Sequence, residues 1–541
     1  MSGAAFSVFG THFRMKEGEI VSLRGATIKP AVHKAGVMQN KGYSEAGAST
    51  RKRSMRSFRP QSSSPVEDID ANNKTLRQRA RALYMASPIA TSAIKTHRTN
   101  SIGIGLKLNP RIDGNLLKMT TEQTAEWKRR VKREFDIWAN KKQNCDITRT
   151  NDFYSMQQLI FSSWLTSGDV FILREQVEPT RMNPYTLRLH VIEADRCATP
   201  SLSGIGSTEG KNEDNGNLIH DGVEVDKKGA IVAYHFRNTH PGESTMKKTE
   251  WVRVQAYGDE TGLPNVFHIM SSERPEQYRG VTFLAQIIEP VLQTRRYTES
   301  ELEAALIESF FTAFIKTNAD TSENPLQTTE PIEEEGREEA ESDAEYEMGP
   351  GTFNVLEPGE DIVFGDPKRP ASGFPAFMQA IATQVGAALE IPADLLMKEF
   401  KASYSASRAA LLEAWKSFKM YREWFVQDFL NPVYEVWFSE AVALGRINAP
   451  GFFSDPLIRN AYLGAEWVGP SQGQLDPVKE IQAEAMAIEY GFTTREAAAI
   501  KLNGSDFEEN IEQLKREQAL INELSPAPFD KSNEEGGNTN E

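Results

Sequence analysis

The spacing of apolar positions changes several times along this chain, and each change predicts a change of element. Leu76, Ala80, Leu83, Ile89, Ala93 and Ile94 recur near helical spacing around Ser87-Pro88, which predicts two short helices. After the strand-like stretch SIGIGLKLNPRI, the segment from Thr121 to Asn140 reads as an amphipathic helix carrying Trp127, Val131, Phe135 and Trp138. Phe153 to Thr166 reads as another helix, ended by Ser167-Gly168 and followed by a strand from Val170 to Glu175. From Leu187 to His268 the period drops to two: LRLHVIE, IVAYHFRN and NVFHIMS alternate, separated by Gly, Asn and Asp clusters.

Helical spacing returns from Thr282 to about Lys316, where Pro290 predicts a kink or an earlier helix start. Thr317 to Met348 is polar and carries an acidic block from Glu333 to Glu347, too poor in apolar area to order itself. A short β segment (TFNVLEPGEDIVF) precedes a helix from about Pro375 to Glu390. The longest helix runs from Ser405 to Leu444, interrupted only at Asn431-Pro432 and dense in aromatics between Trp415 and Phe438, which reads as a core helix packed on more than one side. Three further helices, about Pro477 to Tyr490, Thr494 to Leu502 and Phe507 to Leu524, come before an acidic tail.

Size and charge narrow the picture. At 541 residues the chain is expected to hold two to four domains. It contains no apolar run of the roughly 18 residues that a spanning helix needs, so no membrane partner is expected. The N-terminal MSGAAFSVFGTHFRMKEGE lacks a basic start and an apolar core, and synthesis in a cytoplasm is the expectation. Residues 1–70 read as a flexible basic arm, with Arg51, Lys52, Arg53, Arg56 and Arg59 close together. The two cysteines, Cys145 and Cys197, predict reduced, structural thiols.

Catalytic signatures are absent from the sequence. It has no GxxxxGK[ST] phosphate loop, no HExxH helix, no GxSxG elbow and no paired CxxC. Gly103 and Gly105 are better read as a turn than as a dinucleotide fingerprint. His220, Asp221, His235 and His240 are near one another in sequence, but strand and turn placement accounts for them more simply than a metal site does. No cofactor, metal or catalytic residue is therefore expected.

Four stretches in order resemble portal proteins of the lambda family, from about residue 70 to about 525. They are RARALYMASPIATSAIKTHRTNSIGIGLKL; FSSWLTSGDVFIL with LRLHVIEADRCATP; ERPEQYRGVTFLAQIIEPVLQ, with Arg274, Pro275, Gln277, Arg279 and Gly280; and IPADLLMKEFKASYSASRAALLEAWKSF, with Tyr404, Ser405, Ser407, Arg408 and Ala409. The resemblance implies an α+β, helix-rich multidomain portal fold assembling into a dodecameric ring. In it, 71–282 is the wing, 283–316 a stem helix, 317–366 the clip with its acidic insert, 367–392 the returning stem helix and 393–404 the tunnel loop. The long wing helix is 405–446, the connection to the crown 447–474, the crown helices 475–525 and the tail 526–541.

The same resemblance implies a channel for double-stranded DNA in a virion, docking to the terminase large subunit, a head-completion or adaptor protein, and the major capsid and scaffold proteins. The net charge of −15 opposes tight phosphate binding but suits a wall that lets DNA slide. Lys398, Phe400 and Lys401 are the residues expected to face the channel, touching phosphates without reading bases. Exposed lysines on a turn are the plain alternative. Arg408 and Glu413, five residues apart, sit too far round a helix to pair, so Arg408 is expected to reach a neighbouring subunit or a preceding loop. A virion structural or scaffold protein without a channel, or a hydrolase using the histidine-bearing β region, are the competing readings.

Overall fold

The computed structural model describes strands at 5–8, 11–16, 19–22 and 27–28, then residues 47–49, 52–200, 209–243, 248–309, 313–317, 360–364, 373–400, 403–473 and 476–524. Two units emerge, Met1–Ser63 and Ser64–Glu541. The first contains a four-stranded antiparallel meander: β1 Ala5–Val8, β2 Thr11–Lys16, β3 Glu19–Ser22 and β4 Thr27–Ile28. These strands fall within the stretch that composition read as a flexible arm. The short stretch THFRMK, with Phe13 and Met15 two apart, carries the period of two that the basic composition obscured.

The second unit begins with a π-helical turn (Val66–Asp70) leading into α1 (Ala71–Ala86) and α2 (Pro88–Ser101). Ser87 caps α2, its Oγ accepting from the Ala90 N–H, and Pro88 occupies the first turn, where its missing donor costs nothing. β5 (Lys107–Pro110), α3 (Thr121–Ala139), α4 (Lys142–Cys145) and α5 (Phe153–Ser167) follow. Thr120 and Gln123 close a capping box on α3. β6 (Asp169–Gln176) and β7 (Leu187–Glu193) then lead to β8 (Glu209–Lys211), β9 (Leu218–His220), β10 (Val223–Val225), β11 (Ile231–Arg237), β12 (Trp251–Gln255) and β13 (Val266–Met270). One sheet has the order β13-β6-β7 and the other β12-β11-β10-β9-β8, and Phe171, Tyr234 and Phe236 pack in the core between them.

α6 (Ile288–Ser309) ends earlier than the expected Lys316, and Ala313–Thr317 is instead strand β14, paired antiparallel with β15 (Glu360–Phe364). Alternating, β-rich AFIKT finds a partner across the polar segment, and helical spacing alone could not reveal it. Pro290 falls in the first turn of α6. Residues 318–359, which include the acidic block, and 365–372 lie outside the described residues.

α7 (Phe374–Ala388) and α8 (Ala393–Met397) lead to the long helix, which is α9 (Tyr404–Phe425), a π turn (Val426–Leu430) and α10 (Asn431–Ala443) run end to end. Pro432 interrupts nothing because the widened turn before it absorbs its ring and its missing donor. The buried aromatics Phe425, Phe429, Tyr434, Trp437 and Phe438 meet Trp127, Phe135 and Trp138 of α3 and Phe153 and Phe161 of α5 in one continuous core. After α11 (Pro456–Leu463), β16 (Ala465–Val468) pairs with β5, and α12 (Pro477–Glu489), α13 (Arg495–Asn503) and α14 (Phe507–Leu524) follow. Among the described residues, no helix is long and apolar enough to cross a membrane.

Candidate functional site

The segment between α7 and α9 is not an open loop. Gly386 lies so near the turn after α7 that a Cβ there would meet the Ile391 carbonyl at 2.3 Å, and the Ile391 N–H donates to the Gly386 carbonyl at 2.9 Å. α8 supplies one helical turn, and Lys398 leaves it in the left-handed region at φ 57°. Ser403 then caps α9, accepting from the Ala406 N–H.

Three residues of α2 hold this segment from beneath. Ser92 donates to the Leu396 carbonyl at 2.7 Å, and Lys398 Nζ donates to Thr96 Oγ1 at 2.8 Å. His97, fully buried, has Nε2 3.4 Å from the Leu389 carbonyl and packs edge-on to Phe283, Phe418 and Tyr421. Burial pulls its pKa down to about 4, so the ring is neutral. Of the residues expected to face a channel, Phe400 is 56% exposed, Lys398 is turned back onto α2, and Lys401 lies outside the described residues. Burial also draws the Lys398 ammonium below its ordinary range.

The long helix is tied in by two arginines. Arg422 donates to the carbonyls of Asn100 and Ser101 at the end of α2 and to Pro470, at 2.8 to 2.9 Å, so its charge satisfies orphan carbonyls where the helix dipole is negative. Burial lowers its pKa to about 10. Arg408 pairs with Glu480 of α12 at 3.5 Å. Within the chain α12 lies beside the start of α9 and supplies this carboxylate, while Arg408 keeps 40% of its side chain exposed. Glu413 pairs with Lys416, one turn away.

A second constellation joins α1 to the β sheets that follow α5. Arg279 is fully buried, with Nε 2.6 Å from Asp169, Nη1 2.7 Å from the Asp221 carboxylate, and further bonds to the carbonyls of Ala194, Cys197 and Asp221. Arg77 of α1 pairs with Asp221 at 2.7 Å and Asp195 at 3.5 Å, and Arg81 also reaches Asp195. Burial pushes the Asp169 carboxyl up, but Arg279 and His268 outweigh it and hold it well below the usual carboxylate range. Next to Arg279, Gly280 crosses Gly168 (φ +93°) so closely that a Cβ on Gly280 would meet the Gly168 carbonyl at 2.0 Å. The cluster thus joins α1, the α5–β6 turn, β6 and the loop ahead of α6.

The histidines of the β region go to different partners. His235 meets the buried Glu224 at 3.0 Å, His220 stacks on Tyr278, and His240 lies 3.0 Å from Glu193 and 3.9 Å from Asp195. Glu193, Asp195 and His240 are close enough to share an ion, yet Arg81 already pairs with both carboxylates. Glu224 instead organises an asparagine-rich turn, accepting from Asn212, Asn215, Asn217 and Arg253. Both cysteines are buried and free, and burial pushes each thiol up to about 12. Ser92, Thr96, His97 and Arg422 escaped sequence reading. The one signal was a row of small polar residues, TSAIKTHRTN, on a helix otherwise packed by Ala and Ile.

Comparison with known proteins gives consistent results. A family model described as phage portal protein, lambda family, matches residues 51–422. Portal protein B of Escherichia phage lambda is 23% identical over 482 residues, spanning 86% of this chain and 87% of that one. The probable portal protein of Halomonas phage phiHAP-1 is 24% identical over 475 residues, spanning 87% and 85%. Among solved structures, the virion of a native gene transfer agent particle contains a chain 14% identical with a TM-score of 0.41, covering 80% of this chain and 94% of that one.

Proposed function

The chain belongs to the lambda family of phage portal proteins, a component of the phage virion, and from that premise we propose that it assembles as a dodecameric ring whose central hole conducts double-stranded DNA. A head-to-tail interface that closes on itself generates such a ring. The observation that carries the channel reading is the segment 389–403: pinned at its base by Ser92, Thr96 and His97, it ends on an exposed Phe400 with Lys398 and Lys401 on either side of Glu399-Phe400. A few cations in a chain of net charge −15 touch passing phosphates without gripping them.

In this reading 71–282 and 405–446 form the wing, 283–316 and 367–392 the stem, 317–366 the clip, 393–404 the tunnel loop and 475–525 the crown. The docking partners are the terminase large subunit, a head-completion or adaptor protein, and the capsid and scaffold proteins. The curated relatives are portal proteins, and we assign this chain no catalytic step. Negative-stain microscopy of the purified chain tests the assembly: rings with a central hole are expected, and monomers or shell-like particles would overturn it. Packaging with Lys398 and Lys401 both changed to Ala tests the loop; unchanged packaging and DNA retention remove both lysines from the mechanism.

A further inference from the structure

The face of α2 that supports the loop continues as an open groove of about 580 Å3, lined by Thr91, Ser92, Lys95, Thr99, Asn100 and Lys398 among others. None of its lining residues is a carboxylate. In so acidic a chain that composition stands out, because Arg77, Arg111, Lys132 and Arg408 each face a carboxylate within the same chain. Lys95 and Lys398 make no ion pair among the described residues.

The geometry also prepares Lys398 for a ligand. Its left-handed backbone, at φ 57°, turns the chain so that the side chain reaches Thr96 Oγ1. That bond uses one of the three ammonium protons. Lys95 is exposed one turn earlier on α2 than Thr99; the Ser92 hydroxyl proton goes to the Leu396 carbonyl and the Thr91 proton to the Tyr84 and Ser87 carbonyls, so the neutral donors beside the two charges are the Thr99 hydroxyl and the second amide proton of Asn100, whose first goes to the Thr96 carbonyl. Hydroxyl, amide and ammonium donors without a competing carboxylate are the set that recognises phosphate oxygens and carries no base information.

We infer that this groove holds the phosphodiester backbone of duplex DNA, as a contact separate from Phe400 and Lys401; the inference rests on the channel reading above. With two cations the contact is weak and salt-sensitive, each neutralised phosphate adding about 0.9 to the slope of log affinity against log salt.

The test is titration of the assembled full-length protein with a short fluorescent duplex of mixed sequence over a range of salt. Lys95→Glu, Lys95→Arg and Lys401→Ala are compared, with ring formation and melting temperature checked for each. Lys95→Glu is expected to weaken binding and flatten the salt slope by about 0.9 for each subunit whose Lys95 meets a phosphate, while Lys95→Arg keeps both. A wild-type slope in an intact Lys95→Glu ring overturns the groove. Loss in Lys401→Ala with Lys95→Glu unaffected supports the loop and overturns the groove; the reverse supports the groove and removes Lys401. A wild-type ring that binds no duplex overturns both. If inorganic phosphate at matched ionic strength displaces the duplex from the wild type but not from Lys95→Glu, the groove recognises phosphate as proposed; equal displacement from both overturns it.

Discussion

The charge cluster around Arg279 and the seam that holds the C-terminal helices are built from the same residue types and behave differently. At Arg279 and Asp169 the side chains have no solvent exposure, and every donor is matched by a carboxylate or a carbonyl. Along α12 to α14 the contacts to the rest of the unit include Arg111–Glu496, Arg129–Glu512 at 2.6 Å, Lys132–Asp506 at 2.8 Å and Arg408–Glu480 at 3.5 Å, mostly half exposed. Among the described residues of these three helices, Ala498 alone is buried. Water screens the seam and not the cluster, so one is a permanent joint and the other responds to salt.

The largest expected effect follows from breaking the joint. Arg279→Ala leaves Asp169 buried and unpaired, and urea unfolding should show a loss of about 3 to 5 kcal/mol. Arg279→Lys should fail to restore it, since one ammonium cannot reach Asp169, Asp221 and three carbonyls together. A loss below 1 kcal/mol would place the cluster with the seam.

Acid attacks a different buried group. The unfolded chain protonates His97 near pH 6.5 while the folded state refuses the proton until about 4, so stability is full above 6.5 and falls as pH drops through that window. The loss is on the order of 3 kcal/mol, and melting curves of His97→Gln should be flatter there.

Asp70 titrates with the opposite sign. Burial, reinforced by the nearby Asp221, raises its pKa to about 7, so its contribution is full below 3.8 and lost as pH rises through 7. Asp70→Asn should raise the melting temperature at pH 8, by about 2 to 4 °C per kcal/mol recovered, and change little at pH 5.

The smallest effect belongs to the seam. Lys132→Ala should cost about 1 kcal/mol or less, and that cost should fade as salt is raised. Hydrogen exchange of α13 and α14 against salt reads the same quantity locally; exchange independent of salt would show that the ion pairs do not hold these helices.

Much of the helix map was legible because helical and strand periods are local. Thr120 and Gln123 announce the start of α3, and the aromatic stripe from Trp415 to Phe438 announces a helix buried on several sides. β14 was not legible, since its partner lies beyond a long polar stretch. Arg279 and Gly280 stood out in a matched motif, but neither residue shows in sequence that one is the hub of a buried ion cluster and the other a backbone crossing. Of the loop residues, Phe400 is exposed in the single chain and Lys398 is engaged by Thr96, a contact that no local pattern announces.

By itself the sequence determined the order of most helices, the acidity, the lack of a long apolar run and the motifs that mark the family. The tertiary structure alone decided which charges are buried, that Arg408 finds Glu480, and that α2 carries both the loop and the groove beside it. The reason is distance along the chain: Arg279 and Asp169 are 110 residues apart and Lys398 and Thr96 are 302 apart. A periodic pattern reports only neighbours within a few residues, while such pairs form only when the whole core closes around them.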